Sequence, residues 1–152
     1  MTPILRLEPV IENLPYDFDA MRVEAYSEGY RFVERLAKDW EAGVTRFNRD
    51  GEALVGARVD DVLAGIGGLT LDPDVSGALR MRRFYVRPSF RTHGIGRKLV
   101  ATLLEYPRRV GRVVVVNASG GSPAFWEKLG FVPDMREGHT HILPLPSACT
   151  PA

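Results

Sequence analysis

The chain has a single cysteine, Cys149, among its 152 residues. That excludes an internal disulfide and agrees with a reducing, cytoplasmic setting. Cys149 lies in the Pro/Ser/Thr-rich stretch from Pro144 to Ala152, so residues 147–152 are expected to form a flexible tail and the thiol is not expected to be a nucleophile. Long apolar runs are missing too. Stretches such as Val113 to Val116 fall far short of the roughly 20 residues that cross a bilayer, so no membrane partner is expected. The opening residues, Met1-Thr2-Pro3-Ile4-Leu5-Arg6, lack the basic start and apolar centre of a secretory signal. Acidic residues are scarce in one stretch: between Arg80 and Arg112, Glu105 alone stands against ten Lys and Arg. The rest of the chain holds ten basic and eighteen acidic residues, and the net charge is only +1. A local positive field of this kind suits a polyanion, either nucleic acid or a phosphorylated cofactor.

What is present fits one soluble domain over residues 1–146, with 45% hydrophobic and 26% charged residues. Ile4 to Glu8 alternates as a strand. Asp17 or Asp19 is placed to cap a helix running to about Glu28, with Phe18, Met21, Ala25 and Tyr26 on its apolar side and Gly29 as its break. Phe32, Val33, Leu36, Ala37 and Trp40 mark a second helix that stops at Gly43. Two strands, Ala53 to Val59 and Val62 to Leu71, join tightly at Asp60-Asp61. Gly65, Gly67 and Gly68 in the second of them point to a bulge or a close approach. A strand from Ala78 to Val86 follows, with Arg82 and Arg83 expected on opposite faces, one of them placed to meet an acidic acceptor or simply solvated. The helix opening at Gly94 is expected to end at Pro107. Arg112 to Val116 reads as a strand buried on both faces. Ser122 caps a short helix that stops at Gly130, and Phe131-Val132 and His139 to Leu143 read as closing strands. The order β-α-α-β-β-β-α-β-α-β predicts an α/β fold of the α+β type, a mixed sheet with helices on both faces.

The informative segment is Val86-Arg87-Pro88-Ser89-Phe90-Arg91-Thr92-His93-Gly94-Ile95-Gly96-Arg97-Lys98. A strand ends, the chain turns, and two glycines open a helix. The first helical turn carries N–H groups without internal partners and the positive end of the dipole. Glycines there let a pyrophosphate approach, and Arg91 and Arg97 add charge-assisted hydrogen bonds. A Walker loop requires Gly-Lys-Ser/Thr, whereas Gly96 precedes Arg97-Lys98-Leu99. A dinucleotide fingerprint requires a third glycine, where Leu99 stands, and an acidic residue ending the next strand, where Val116-Asn117 stands. The remaining alternative is that the glycines only permit a tight turn.

Arg91-x-x-Gly94-x-Gly96, following Tyr85-Val86-x-Pro88, resembles the signature of the GNAT superfamily of acetyl-CoA-dependent N-acetyltransferases. Asn117 and then Ser122-Pro123-Ala124-Phe125-Trp126-Glu127-Lys128-Leu129-Gly130-Phe131 resemble its second motif, and the element order matches over nearly the whole chain. The resemblance implies a mostly antiparallel sheet splayed at the cofactor site. Phe84, Tyr85 and Val86 would offer backbone groups to the pantetheine arm of acetyl-CoA. The N–H groups of Arg91, Thr92, His93, Gly94, Ile95, Gly96 and Arg97 would cradle the pyrophosphate. Asn117 would hydrogen-bond the arm, and Phe125 and Trp126 would lie along it. The implied reaction is direct attack of a small-molecule or peptide amine on the thioester, without an enzyme nucleophile or a metal. A homodimer is one possible assembly by analogy with relatives.

The chain departs from the family at Trp126, which stands where the usual general acid is a tyrosine. Tyr85, Tyr106 or Ser119 would have to substitute, or the reaction proceeds without an acid. No glutamate lies between Ala53 and Val86, so a common place for the base is empty. Glu24 and Glu28 on the first helix and His93, His139 and His141 remain, each also readable as a surface or structural residue. His139 and His141 share a sheet face at period-2 spacing, and no metal site is expected. Tyr16, Tyr26, Tyr30 and Trp40 are core or acceptor-pocket residues. Two further functional readings stand beside the enzyme. The first is an acyl-CoA-binding sensor or vestigial domain without turnover. The second is nucleic-acid binding, which the cofactor turn makes unnecessary as an explanation of the basic cluster.

Overall fold

Seven strands among the described residues join edge to edge in one sheet. The computed structural model describes residues 3–118, 122–136 and 138–144. Ser119, Cys149 and the segment 147–152 lie outside the described residues. The chain runs β1 (Leu5–Pro9), α1 (Phe18–Ser27), α2 (Phe32–Glu41), β2 (Ala53–Val59), β3 (Val62–Leu71), β4 (Leu79–Val86), a 3-10 turn at Pro88–Phe90, α3 (Ile95–Val110), β5 (Val114–Val116), α4 (Pro123–Lys128), β6 (Val132–Arg136) and β7 (His139–Leu143). The sheet order is β1-β2-β3-β4-β5-β7-β6, and every strand pair is antiparallel except β4 with β5. The two closing stretches form separate strands, so the order ends in one strand more than the sequence pattern was read to give. Gly138 at φ 96° turns β6 back into β7.

The sheet carries helices on both faces, as expected. Leu99, Val100, Leu103 and Leu104 of α3 and Trp126 of α4 join Leu79, Met81 and Val114 in one core. Phe18, Met21 and Ala25 of α1 and Val33, Leu36, Ala37 and Trp40 of α2 join Leu54, Ile66 and Tyr85 in the other. Three local expectations are corrected. Pro107 does not end α3, which continues to Val110. Its ring lies on the buried face, its missing N–H costs one helical bond, and Gly111 at φ 75° caps the helix as the Arg112 N–H returns to the Pro107 carbonyl at 2.9 Å. Asp17 occupies the N-cap position without making a cap bond. Its carboxylate instead accepts from buried Arg58 at 2.9 and 3.0 Å. Tyr26 is exposed rather than apolar-facing.

The glycines of β3 make room for rings. A Cβ at Gly67 would meet the Phe84 ring at 2.5 Å, and one at Gly68 would meet Phe47 at 2.5 Å. The register along β3 and β4 jumps from Gly68↔Arg82 to Ile66↔Tyr85. Arg83 and Phe84 therefore face Gly67 alone, which is a β-bulge, and Arg83 takes φ 62°. The bulge overturns the expectation that Arg82 and Arg83 face opposite ways. It also lies where β4 leaves its parallel neighbour.

Candidate functional site

β4 and β5 pair only through Leu79↔Val114, Arg80↔Val115 and Met81↔Val116. Beyond Met81, β4 continues to Val86 while β5 stops at Val116. Among the described residues no strand lies along that edge of Arg82–Val86. Helix α4 stands beside it, with Phe84 meeting Trp126 edge-on at 5.1 Å and Trp126 meeting Phe125 and Phe131 in the same manner at 5.0 and 5.2 Å. A splayed edge of this kind leaves main-chain groups for a ligand to pair.

The turn after β4 aims the start of α3 at the same opening. Thr92 at φ 68° and Gly94 at φ 77° both lie in the left-handed region, and α3 begins at Ile95. The Arg91 N–H bonds the Pro88 carbonyl at 3.3 Å and the Lys98 N–H bonds Gly94 at 3.1 Å. The unmatched donors of the first helical turn therefore lie between them, one position inside the range expected from sequence. The two glycines have different tasks. At Gly94 the backbone conformation demands glycine, whereas a Cβ at Gly96 would meet the Phe125 ring at 3.2 Å. The Arg97 guanidinium lies beside Gly94. His93 is turned away: its Nδ1 donates to the Phe90 carbonyl at 3.1 Å, and it lines a separate cavity of about 360 Å³ with Leu5, Val59 and Lys98.

Two cavities adjoin over Gly96. One, of about 420 Å³, extends from Arg91, Thr92 and Gly94 to Lys128 and Leu129. The other, of about 530 Å³, lies between Tyr30 and Phe32 on one wall, Phe84 and Tyr85 on another, and Phe125 and Trp126 of α4. Both include Val86, Arg91, Gly96 and Phe125. Asn117 sits just past the tip of β5, where the next N–H, of Ala118, bonds Thr140 Oγ1 at 2.9 Å.

The electrostatics centre on α1. Arg91 donates to both oxygens of Glu28, and the Tyr85 hydroxyl donates to Glu28 Oε1 at 2.5 Å. The Arg91 guanidinium and then the Tyr85 hydroxyl hold the Glu28 carboxyl below its usual range. Burial first, and Glu28 second, push the Tyr85 phenol well above its ordinary value. Glu24, one turn earlier, pairs with Arg87. Tyr106 is not brought to this site. It lies at the far end of α3, about 16 Å along the axis from Ile95, with its ring under Arg109. His139 and His141 each have a carboxylate of their own, Asp134 at 2.9 Å and Glu127 at 2.8 Å. Of the four aromatics considered on or beside the first two helices, Tyr30 alone lines the larger cavity. Tyr16 and Tyr26 are exposed and Trp40 is core.

The model of the acetyltransferase (GNAT) family matches residues 16–131. The chain belongs to that family. In structure it is similar to a candidate acetyltransferase of Exiguobacterium sp. 255-15, at 26% identity and TM-score 0.83 over 92% of this chain and 93% of that one. It shares the fold of the Escherichia coli GNAT N-acetyltransferase YhbS in complex with CoA, at 18% identity and TM-score 0.62 over 93% and 80% of the two chains. It also shares the fold of the PaiA N-acetyltransferase of Thermoplasma acidophilum in complex with coenzyme A, at 18% identity and TM-score 0.62 over 91% and 96%. No curated protein matches the chain in sequence. No helix among the described residues is long and apolar enough to cross a membrane.

Sequence reading missed the Arg91–Glu28–Tyr85 cluster and the place of Phe32 in the cavity wall. Arg91 and Glu28 are 63 residues apart, and no local pattern connects them. Phe32 fell on a helical stripe that reads equally well as core.

Proposed function

We propose that the chain is an N-acetyltransferase that moves the acetyl group of acetyl-CoA directly to a primary amine of a small molecule or peptide. One observation carries this reading: the unpaired edge of β4 beyond Met81 and the open first turn of α3 face one continuous groove. The groove suits a pyrophosphate at one end and a chain of alternating amides along the other. In this reading the N–H groups after Arg91, with Arg97 beside them, hold the pyrophosphate, and Phe84, Tyr85 and Val86 pair with the pantetheine arm. Asn117 approaches that arm from β5, and Phe125 and Trp126 wall it. Bound acetyl-CoA supplies an activated thioester.

The proton steps fall to few groups. The ionisable residues lining the larger cavity are Tyr30, Tyr85 and Arg91. Tyr85, raised in pKa and directed at Glu28, is a weak acid, so its place in the reading is to shape the acceptor wall and hold Glu28. Glu28 and Glu24 are carboxylates committed to arginines, weak bases toward an ammonium of pKa near 10.4. The acceptor therefore enters as its free amine, at a cost of about 4.6 kcal/mol at pH 7 for a lysine-like amine.

A second reading, binding of acyl-CoA without turnover, is favoured by Trp126, whose indole is a hydrogen-bond donor and no proton source. Calorimetry with acetyl-CoA and CoA release across an amine panel separate the two. The enzyme reading expects acetyl-CoA binding that Gly94→Trp abolishes, together with CoA release that depends on the amine. Tight binding with no release from any amine would leave the sensor. Unimpaired binding in Gly94→Trp would remove the cradle from both readings.

A further inference from the structure

Leu79 and Met81 point into the α3 side of the core, so strand alternation sends Arg80 and Arg82 toward the α1–α2 side. The bulge then resets the alternation. Tyr85 packs on the α1–α2 side, and the Arg83 guanidinium reaches Asp39 of α2 at 3.7 Å. Two adjacent arginines thus share one face, where a regular strand would divide them. Arg83 is held at φ 62° to achieve this, a conformation that non-glycine residues keep only where the surroundings impose it.

Burial and the Arg80 charge pull the Arg82 guanidinium down, and the nearby Asp72, Asp39 and Glu52 carboxylates offset them only in part. Arg82 Nε is buried and has no hydrogen-bond partner among the described residues. The Arg83 side chain is 13% exposed, and Asp39, its carboxylate neighbour among the described residues, stands beyond hydrogen-bond length. Burial, and then the neighbouring Arg82 and Arg35 charges, pull the Arg83 guanidinium down to about 10, still protonated at neutral pH. Buried donors are ordinarily paired, so an orphan donor beside a second cation fits an anion brought from outside. Neither arginine lines the cavity itself, but β4 passes from them directly to Phe84 and Tyr85, and both of these do.

Resting on the acetyl-transfer reading above, we propose that Arg82 and Arg83 bind a carboxylate of the acceptor, so that the preferred substrate is an amine carrying a carboxylate distant from the reacting nitrogen. Planar guanidinium groups match a carboxylate better than a point charge does. Because Arg83 and Phe84 share one position opposite Gly67, Arg82 lies only two strand steps, about 7 Å, along β4 from Tyr85. An amino acid with its amine and carboxylate at opposite ends spans that separation.

The test uses the full chain with saturating acetyl-CoA. Acceptors run from 3-aminopropanoate to 6-aminohexanoate, each set against the n-alkylamine of equal length, with CoA release followed. At the best length the amino acid is expected to have a KM about 10- to 100-fold lower than its alkylamine. Arg82→Met and Arg83→Gly should each reduce that preference about tenfold or more. Arg83→Gly keeps the fold because glycine accepts φ 62° without strain. A separate measurement omits CoA. The Arg82 Nε–H signal in a proton–nitrogen-15 spectrum, assigned by its loss in Arg82→Met, should shift with hexanoate and stay in place with hexanol. Equal KM values within every pair, or a signal unmoved by hexanoate, would overturn the proposal while leaving acetyl transfer standing. A hexanoate shift without acetylation of any amine would support the anion site and reject the transfer reading.

Discussion

The guanidinium of Arg91 grips both carboxylate oxygens of Glu28, through Nη1 at 2.9 Å and Nη2 at 2.7 Å. Its Nε donates at the same time to the Val86 carbonyl at 2.9 Å. One side chain thereby fastens the end of α1 to the end of β4 and to the turn that opens α3. The Tyr85 hydroxyl joins the same carboxylate, so the floor of the groove and its Tyr85 wall are set by one cluster.

The clamp is bidentate but partly exposed, at 40% for Arg91 and 27% for Glu28. Solvent therefore screens it, and its coupling is expected to be about 1 kcal/mol. A double-mutant cycle of Glu28→Gln and Arg91→Met in urea unfolding measures this directly. Additive effects of the two substitutions would show that the clamp holds geometry without adding stability.

The same clamp has a defined pH dependence. Glu28 has a depressed pKa in the folded chain, caused first by Arg91 and then by Tyr85. Its contribution is complete above the unfolded value of about 4.3 and is lost as pH falls through the lower folded value. Wild type should therefore be more stable than Glu28→Gln at neutral pH, and the two should converge as the pH is lowered well below about 4. A constant gap down to about pH 2.5 would mean that Glu28 stabilises through something other than its charge.

The glycines of the turn separate in the same way. Gly94→Ala forces a Cβ into a left-handed residue with φ 77°, at about 1 to 2 kcal/mol. Gly96→Ala leaves the backbone unstrained but presses on Phe125 at 3.2 Å, an overpacking cost of about 1 kcal/mol or more. Phe125→Leu should rescue the stability of Gly96→Ala and leave that of Gly94→Ala unrescued. Thermal unfolding of the four variants decides it, and rescue of both would show that the two glycines act through one contact.

The element order and the turn were legible because they rest on local rules, namely period-2 strands, helical stripes and Gly-x-Gly after a strand. The left-handed Asp60 and Asp61 at the β2–β3 hairpin follow from turn chemistry alone. What escaped was set by partners far away in sequence. Asp17 has the right identity for a cap, but Arg58, 41 residues on, takes its carboxylate. Pro107 carries a strong stop signal, yet its ring packs in the core and the helix continues past it. The Arg83 bulge left no mark on β4 itself. Its signature was Gly67 on the neighbouring strand, where the Phe84 ring leaves no room for a side chain.

Trp126 is built into the core beside the groove. It is 4% exposed and meets Phe84, Phe125 and Phe131 edge to face at 5.0 to 5.2 Å. Its surroundings are those of a packing residue, and an indole N–H does not transfer its proton at neutral pH. Replacing it with phenylalanine keeps the aromatic packing and removes the N–H. Trp126→Phe is expected to lose about 1 to 3 kcal/mol of stability from the volume left behind. Its turnover should fall by no more than about threefold, since no proton-transfer step, which would count for about a hundredfold or more, has been removed. The pH dependence of kcat should be the same as in wild type. A loss of about a hundredfold with an altered pH profile would instead mean that the indole N–H is aimed at a reacting atom, and that Trp126 has taken over a task from the tyrosine it replaces.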